Sequence, residues 1–194
     1  MVEVDHLVSH KPLGTFRNGA WCCPMPSILM LQLLNLLMGG GSYLVAMTSF
    51  GVLTAAHWSA VETGAVMMVA NLAYAGLVGI GGRLADHFGR ARTAISGASL
   101  ASLGAMIAVI GQSAWASVVG LVVCFAGTAL FFPGNAGLFS DARSSVGAEV
   151  PLHVKVSRYN LGWSGGNVVG FGMAWVLAHG AIERGFLWAL GSFI

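Results

Sequence analysis

Residues 76–93, GLVGIGGRLADHFGRART, set a charged turn directly between two long apolar runs. A short loop carrying Asp86, Arg90 and Arg92 cannot lie in hydrocarbon, where no water meets its polar groups, so it marks a membrane–water boundary. Composition agrees. The chain is 56% hydrophobic and 8% charged, against roughly 25% charged residues in soluble domains, and its mean hydropathy is +0.78. Its 28 glycines, with many Ala and Ser, suit helices packed closely within a bilayer. Cys22, Cys23 and Cys124 form neither a CxxC pair nor a Cys/His ligand spacing, so no disulfide framework, metal site or cofactor is expected. The adjacent Cys22 and Cys23 read as unmodified thiols, with lipidation as the alternative. No basic stripe points to nucleic acid; the expected partner is the lipid bilayer.

A bilayer-spanning helix takes roughly 20 residues. Runs of that order lie at about 27–53, 61–81, 93–111, 115–139 and 160–179, and a shorter one occupies 185–194. Ten residues make about 15 Å of helix, so this last run is expected to be a partial sixth span. Residues 1–26, with Glu3, Asp5, Lys11, Arg17 and three prolines, are expected to form a cytoplasmic tail. Gly39-Gly40-Gly41 should loosen or bend the first span. His57 and Trp58 suit the next interface. Lys11, Arg17, Arg83, Arg90, Arg92, Arg143, Lys155 and Arg158 all fall on one side of this layout, and only Arg184 on the other. Basic residues gather on the cytoplasmic side, which puts the N-terminus and the loops at 82–92 and 140–159 inside, and 55–60 and 112–114 outside. The fold class expected is an all-α membrane protein, N-terminus cytoplasmic, in the cell (inner or plasma) membrane.

Within the turn, Gly82, Leu84, Ala85, Asp86, Gly89 and Arg90 follow the spacing G-x-L-A-D-x-x-G-R. This resembles the loop signature of the major facilitator superfamily of transporters. His87 and Ala91 stand where that pattern prefers basic residues, and Arg92 restores the charge one position later. Arg158-Tyr159-Asn160-Leu161-Gly162-Trp163-Ser164 is similar to a pattern of some bacterial members. The resemblance covers about residues 27–194. It implies an N-terminal six-helix bundle with its last helix incomplete, as a fragment or truncated product whose C-terminal half is missing. It also implies a conformational latch in the loop at Gly82, Asp86, Gly89, Arg90 and Arg92. Locally, Asp86 and Arg90 are expected to pair across the tight turn, with Gly82 and Gly89 letting the chain reverse.

Gly162, Gly166, Gly170, Ala174 and Ala178 recur every four residues, a smooth helix face for close packing. The first three also fit a glycine element of the family's drug antiporters. Asn167 and Phe171 depart from it, so packing is the reading adopted. Gly162-Trp163-Ser164-Gly165 matches a serine-protease pattern, but His179 lies about 22 Å along the same helix, beyond reach as a base. No enzyme activity is expected.

No Asp, Glu, Lys or Arg occupies the centre of a span; Glu62 lies at the outer edge of the second. Gly120-Leu121-Val122-Val123 stands where many proton-coupled members of the family carry an arginine. Gln32, Asn35, Asn71 and Asn167 are the candidate substrate-lining residues. Gln32 and Asn35 share one helix face, which serves substrate contact or interhelical hydrogen bonding. The functional expectation is transport of a small, unspecified solute as part of a secondary transporter. The alternative is a non-transporting remnant or a helical scaffold that binds a partner.

Overall fold

The computed structural model describes residues 27–111, 113–142, 149–178, 188–189 and 191–193. The expected tail at 1–26 and most of the expected sixth span lie outside the described residues. Helix α1 is Ile28–Ala55, opened by Ser27, whose side chain accepts from Met30 N at 3.2 Å. Helix α2 is Ala60–Phe88. Glu62 N donates to Ser59 Oγ at 3.3 Å and Ser59 N donates to Glu62 Oε2 at 2.8 Å, a reciprocal cap. Helix α3 is Arg90–Gly111, and α4 is Ala114–Asp141, capped by Ser113 accepting from Ala116 N at 3.1 Å. Helix α5 is Leu152–Ala178. These serine caps satisfy N–H groups that have no partner in a helix's first turn.

Two expected loops are helix in part or nearly throughout. The turn expected over 82–92 shrinks to Gly89, the one residue between α2 and α3. Leu84, Ala85 and their neighbours extend the α2 ladder until Gly89 N meets Ala85 O at 3.1 Å. Gly89 then takes φ 100°, a value glycine tolerates and side chains resist. Gly82 therefore turns nothing; it lies inside α2, where a Cβ would meet no atom within 4 Å. Helix α5 likewise starts at Leu152 rather than near Asn160, because Pro151 O collects the amides of Val154 and Lys155 at 3.0 and 3.2 Å.

Helices α1 to α4 are each long and apolar enough to cross a membrane. Helix α5 has the length, with 27 residues, but no stretch of it is as apolar as the most apolar stretches of the other four. Residues such as Ile95, Ile110 and Val168 stay exposed on the outer faces. That arrangement suits hydrocarbon as solvent, and the chain is an all-α membrane protein in its broad class.

The helices alternate in direction, and their ends sort by chemistry. Trp58 and Trp115 meet edge to face, 5.2 Å between centroids, so the α1–α2 and α3–α4 connections share one end. At the other end Arg90 Nη1 donates to Gly137 O at 2.9 Å, and Lys155 Nζ to Ser140 O at 2.5 Å. Every Lys and Arg among the described residues belongs to this second end.

Helix α4 sits at the centre, against α3, α2, α1 and α5, while α1 and α5 form a second close pair. Half of the most apolar stretch of α4 is buried, against 17% for α2, which flanks the bundle. Backbones approach within contact where only glycine fits. A Cβ on Gly104 would stand 2.5 Å from Gly120 O, and one on Gly97 2.7 Å from Gly127 O, joining α3 to α4. On the α1–α5 seam a Cβ on Gly162 would lie 2.7 Å from Gln32 O, and one on Gly166 2.9 Å from Gly40 N. Gly39-Gly40-Gly41 does not interrupt α1, which runs unbroken. Instead Gly40 forms the floor against which Gly166 and Gly170 pack.

Leu at Gly166 or Gly170 has no room on this seam, and overpacking of this kind costs about 1–3 kcal/mol or more. Gly166→Leu and Gly170→Leu should each lower the folded yield and thermal midpoint of the purified chain. Gly172→Leu, on the open side of the same helix, should leave both near wild type. Equal behaviour of all three in a thermal-shift assay would show that the seam is not formed.

Candidate functional site

Helices α1, α2, α4 and α5 leave between them a half-open cleft of about 150 Å³. Gly39 and Gly40 hold α5 close to α1 at its floor, and the missing side chain of Gly39 leaves space beside Trp163 O and Asn167 Oδ1. Tyr43, Tyr74, Phe125, Phe132 and Trp163 give the cleft aromatic walls. Its polar groups are Ser42, Asn71, Thr128 and Asn167, and no charged side chain among the described residues lines it.

Most of these polar groups are already committed to their own helices. Ser42 Oγ donates to Met38 O at 2.6 Å, Thr128 Oγ1 to Phe125 O at 2.8 Å, and Asn71 Nδ2 to Met67 O at 2.7 Å. Asn167 is the exception. Its Oδ1 is fully buried with no hydrogen-bond partner among the described residues. A buried, unpaired amide oxygen costs about 1–3 kcal/mol relative to a satisfied one.

Of the four residues expected to line a substrate path, Asn71 and Asn167 face the cleft, and Gln32 and Asn35 do not. Asn35 is fully buried. Its Nδ2 donates to Tyr159 O at 2.7 Å and its Oδ1 accepts from Asn135 Nδ2 at 3.2 Å. It joins α1 to α4 and α5, the interhelical alternative for this position. Gln32 lies on the α1–α5 seam, its backbone oxygen facing Gly162. The pair shares one face, as its three-residue spacing implies, but that face is covered by α5: a Cβ on Gly162 would stand 3.2 Å from Asn35 Cβ and 3.4 Å from Gln32 Cγ.

The charged end also differs from expectation. Arg90 does not pair with Asp86. Its guanidinium forms an ion pair with Asp141 at the end of α4, beside its bond to Gly137 O. Arg90 is the first residue of α3, and α3 lies along α4, so its side chain reaches α4 rather than back to α2. Asp86 is exposed, with no hydrogen bond or ion pair among the described residues. Arg92 is exposed as well. Lys155 is buried against the end of α4, where its ammonium takes up the Ser140 carbonyl. Cations are favoured at a helix C-terminus, where unpaired carbonyls gather.

Sequence reasoning did not single out Asp141 or Lys155 as partners, nor Phe125, Phe132, Ser42 and Thr128 as lining. The one available signal was that Asp141 is the first charge after the fourth apolar run. Among the described residues no group of three or more His, Cys, Asp or Glu side chains converges on one point. Among known proteins, no family model and no curated sequence matches this chain.

The Asn35–Asn135 contact generates a quantitative expectation. Asn35→Leu leaves Asn135 Nδ2 short of an acceptor, so the chain should lose about 1–3 kcal/mol of stability. In a double-mutant cycle with Asn135→Leu, the coupling should be about 0.6 kcal/mol, the usual scale between membrane helices. Zero coupling in denaturant unfolding of the four proteins would remove this contact from the account.

Proposed function

We propose that the chain forms the N-terminal helical bundle of a major-facilitator-type secondary transporter of a small solute. In this reading it sits in the cell membrane with its N-terminus cytoplasmic and works with a second, C-terminal bundle. The observation that carries the reading is the joint at Gly89. The residues of the signature gather there at one end of the bundle, with Arg90 tied to Asp141 and Asp86 left exposed beside it. An exposed carboxylate next to a corner locked from within has the disposition that a latch to another bundle requires. The same reading accounts for a cleft enclosed on one side by four helices and open on the other. Orientation follows from the basic residues, which favour the cytoplasmic face.

Alternating access rocks one bundle against another around a central site, so the test restores both halves. Any downstream reading frame encoding six further spans is joined to this chain, and uptake of a solute panel into proteoliposomes is measured. Saturable uptake by the joined protein supports the proposal. Its absence in correctly inserted protein overturns it in favour of a non-transporting scaffold. In the active protein Asp86→Asn should cut uptake about tenfold or more, the scale of a lost charge-assisted hydrogen bond, with expression unchanged. His87→Arg should be tolerated. Full activity of Asp86→Asn would leave the loop with only a topological role.

Orientation has its own measurement. In a background with Cys22, Cys23 and Cys124 replaced, an impermeant thiol reagent added to intact cells should label Ser59→Cys and spare Ala91→Cys. The opposite labelling would invert the bundle and overturn the orientation.

A further inference from the structure

The lining of the cleft carries information about charge and shape that the transporter reading leaves open. Among the described residues no Asp, Glu, Lys, Arg or His borders it, so a buried ion would find no opposite charge in that lining, and unpaired charge in a membrane bundle is costly. Five aromatic side chains border it instead, offering flat apolar surface. The polar capacity that remains is small and uncharged. Asn71 has its Nδ2 committed to Met67 O, which leaves Oδ1 as a free acceptor. Among the described residues the Asn167 amide makes no hydrogen bond although its Oδ1 is wholly buried, and the Tyr43 and Tyr74 hydroxyls make none. An amide left unpaired at the floor of an aromatic-walled cleft is a group awaiting a partner, because burial without one is unfavourable.

We infer that the cleft binds an uncharged, ring-bearing solute with amide or hydroxyl groups, held by the amides of Asn167 and Asn71 between aromatic walls. Asn167 is the specificity-determining residue. This rests on reading the cleft as the solute site of the proposed transporter. The ring lies against Trp163 and its phenylalanine neighbours, and the polar edge completes the amide that the fold leaves unsatisfied. Charged isosteres are rejected because nothing in the lining replaces their lost water or balances their charge.

The test uses the 194-residue chain in lipid nanodiscs, with empty nanodiscs as the reference for partitioning. Benzamide, benzoate and benzamidinium share one shape and differ in charge, and ligand-observed NMR titration compares them. Benzamide should bind saturably, at least about tenfold tighter than either ion, the scale of one hydrogen bond or more. Asn167→Leu should weaken benzamide by about tenfold while leaving the thermal midpoint equal or higher, since the amide it removes has no partner in the fold. A structural asparagine would show the reverse, a lowered midpoint. Tighter binding of benzoate or benzamidinium overturns the inference. So does the absence of saturable benzamide binding in folded chain, or benzamide binding unchanged by Asn167→Leu. Benzamide binding without uptake by the two-bundle protein would remove the transporter reading alone. Uptake of a charged solute without benzamide binding would remove this inference alone.

Discussion

The close approach of helix backbones across glycine governs this bundle. In lipid the hydrophobic effect does not draw one apolar helix to another, so association depends on close packing and on interhelical polar contacts. Along α3 and α4 the backbone of each helix fills the space where a Cβ of the other would be, at Gly97, Gly104, Gly120 and Gly127. Along α1 and α5 the same is true of Gly40, Gly162, Gly166 and Gly170. The position of α4 at the centre, the width of the cleft and the reach of Asn35 to Tyr159 all depend on how near these two seams let the helices come.

Polar groups are placed where that packing permits. Asn35 and Asn135 are buried together because each supplies what the other lacks, and Tyr159 O takes the remaining donor. Arg90 and Lys155 both reach the last turn of α4, one to Asp141 and Gly137 O, the other to Ser140 O. Two cations on the C-terminal end of the central helix fasten α3 and α5 to it from either side. The Arg90–Asp141 pair is half exposed, so its contribution to stability is small, about 0–1 kcal/mol. Its consequence is directional. It occupies Arg90 within the bundle and leaves Asp86 facing outward.

The cleft follows from the same geometry. Gly39 leaves room beside Asn167 at the point where α5 is drawn against α1, and α2, the least buried helix, contributes Asn71 and Tyr74 from the side. The described lining of a cleft so built is aromatic, uncharged and incompletely satisfied. The inferred preference for an uncharged solute rests on that chemistry.

The long apolar runs broken by charged turns made four membrane-length helices legible, since length and composition alone decide whether a helix suits hydrocarbon. The glycine spacing of the fifth run marked the face that meets α1, because a four-residue repeat lies on one side of a helix. The partners were not legible. Whether Arg90 meets Asp86 or Asp141, and whether Gln32 or Asn71 borders the cleft, depends on how helices distant in the chain rotate and cross. Gly39-Gly40-Gly41 shows the limit plainly, for as a sequence it signals weakness in a helix, and only the arrival of α5 turns it into a packing surface. The sequence by itself determined where the long apolar helices run and which end of them carries the charges, since these follow from hydropathy and solvation. The tertiary structure alone decided which side chains meet, because that depends on contacts between residues as far apart as Asn35 and Asn135, and no local pattern encodes them.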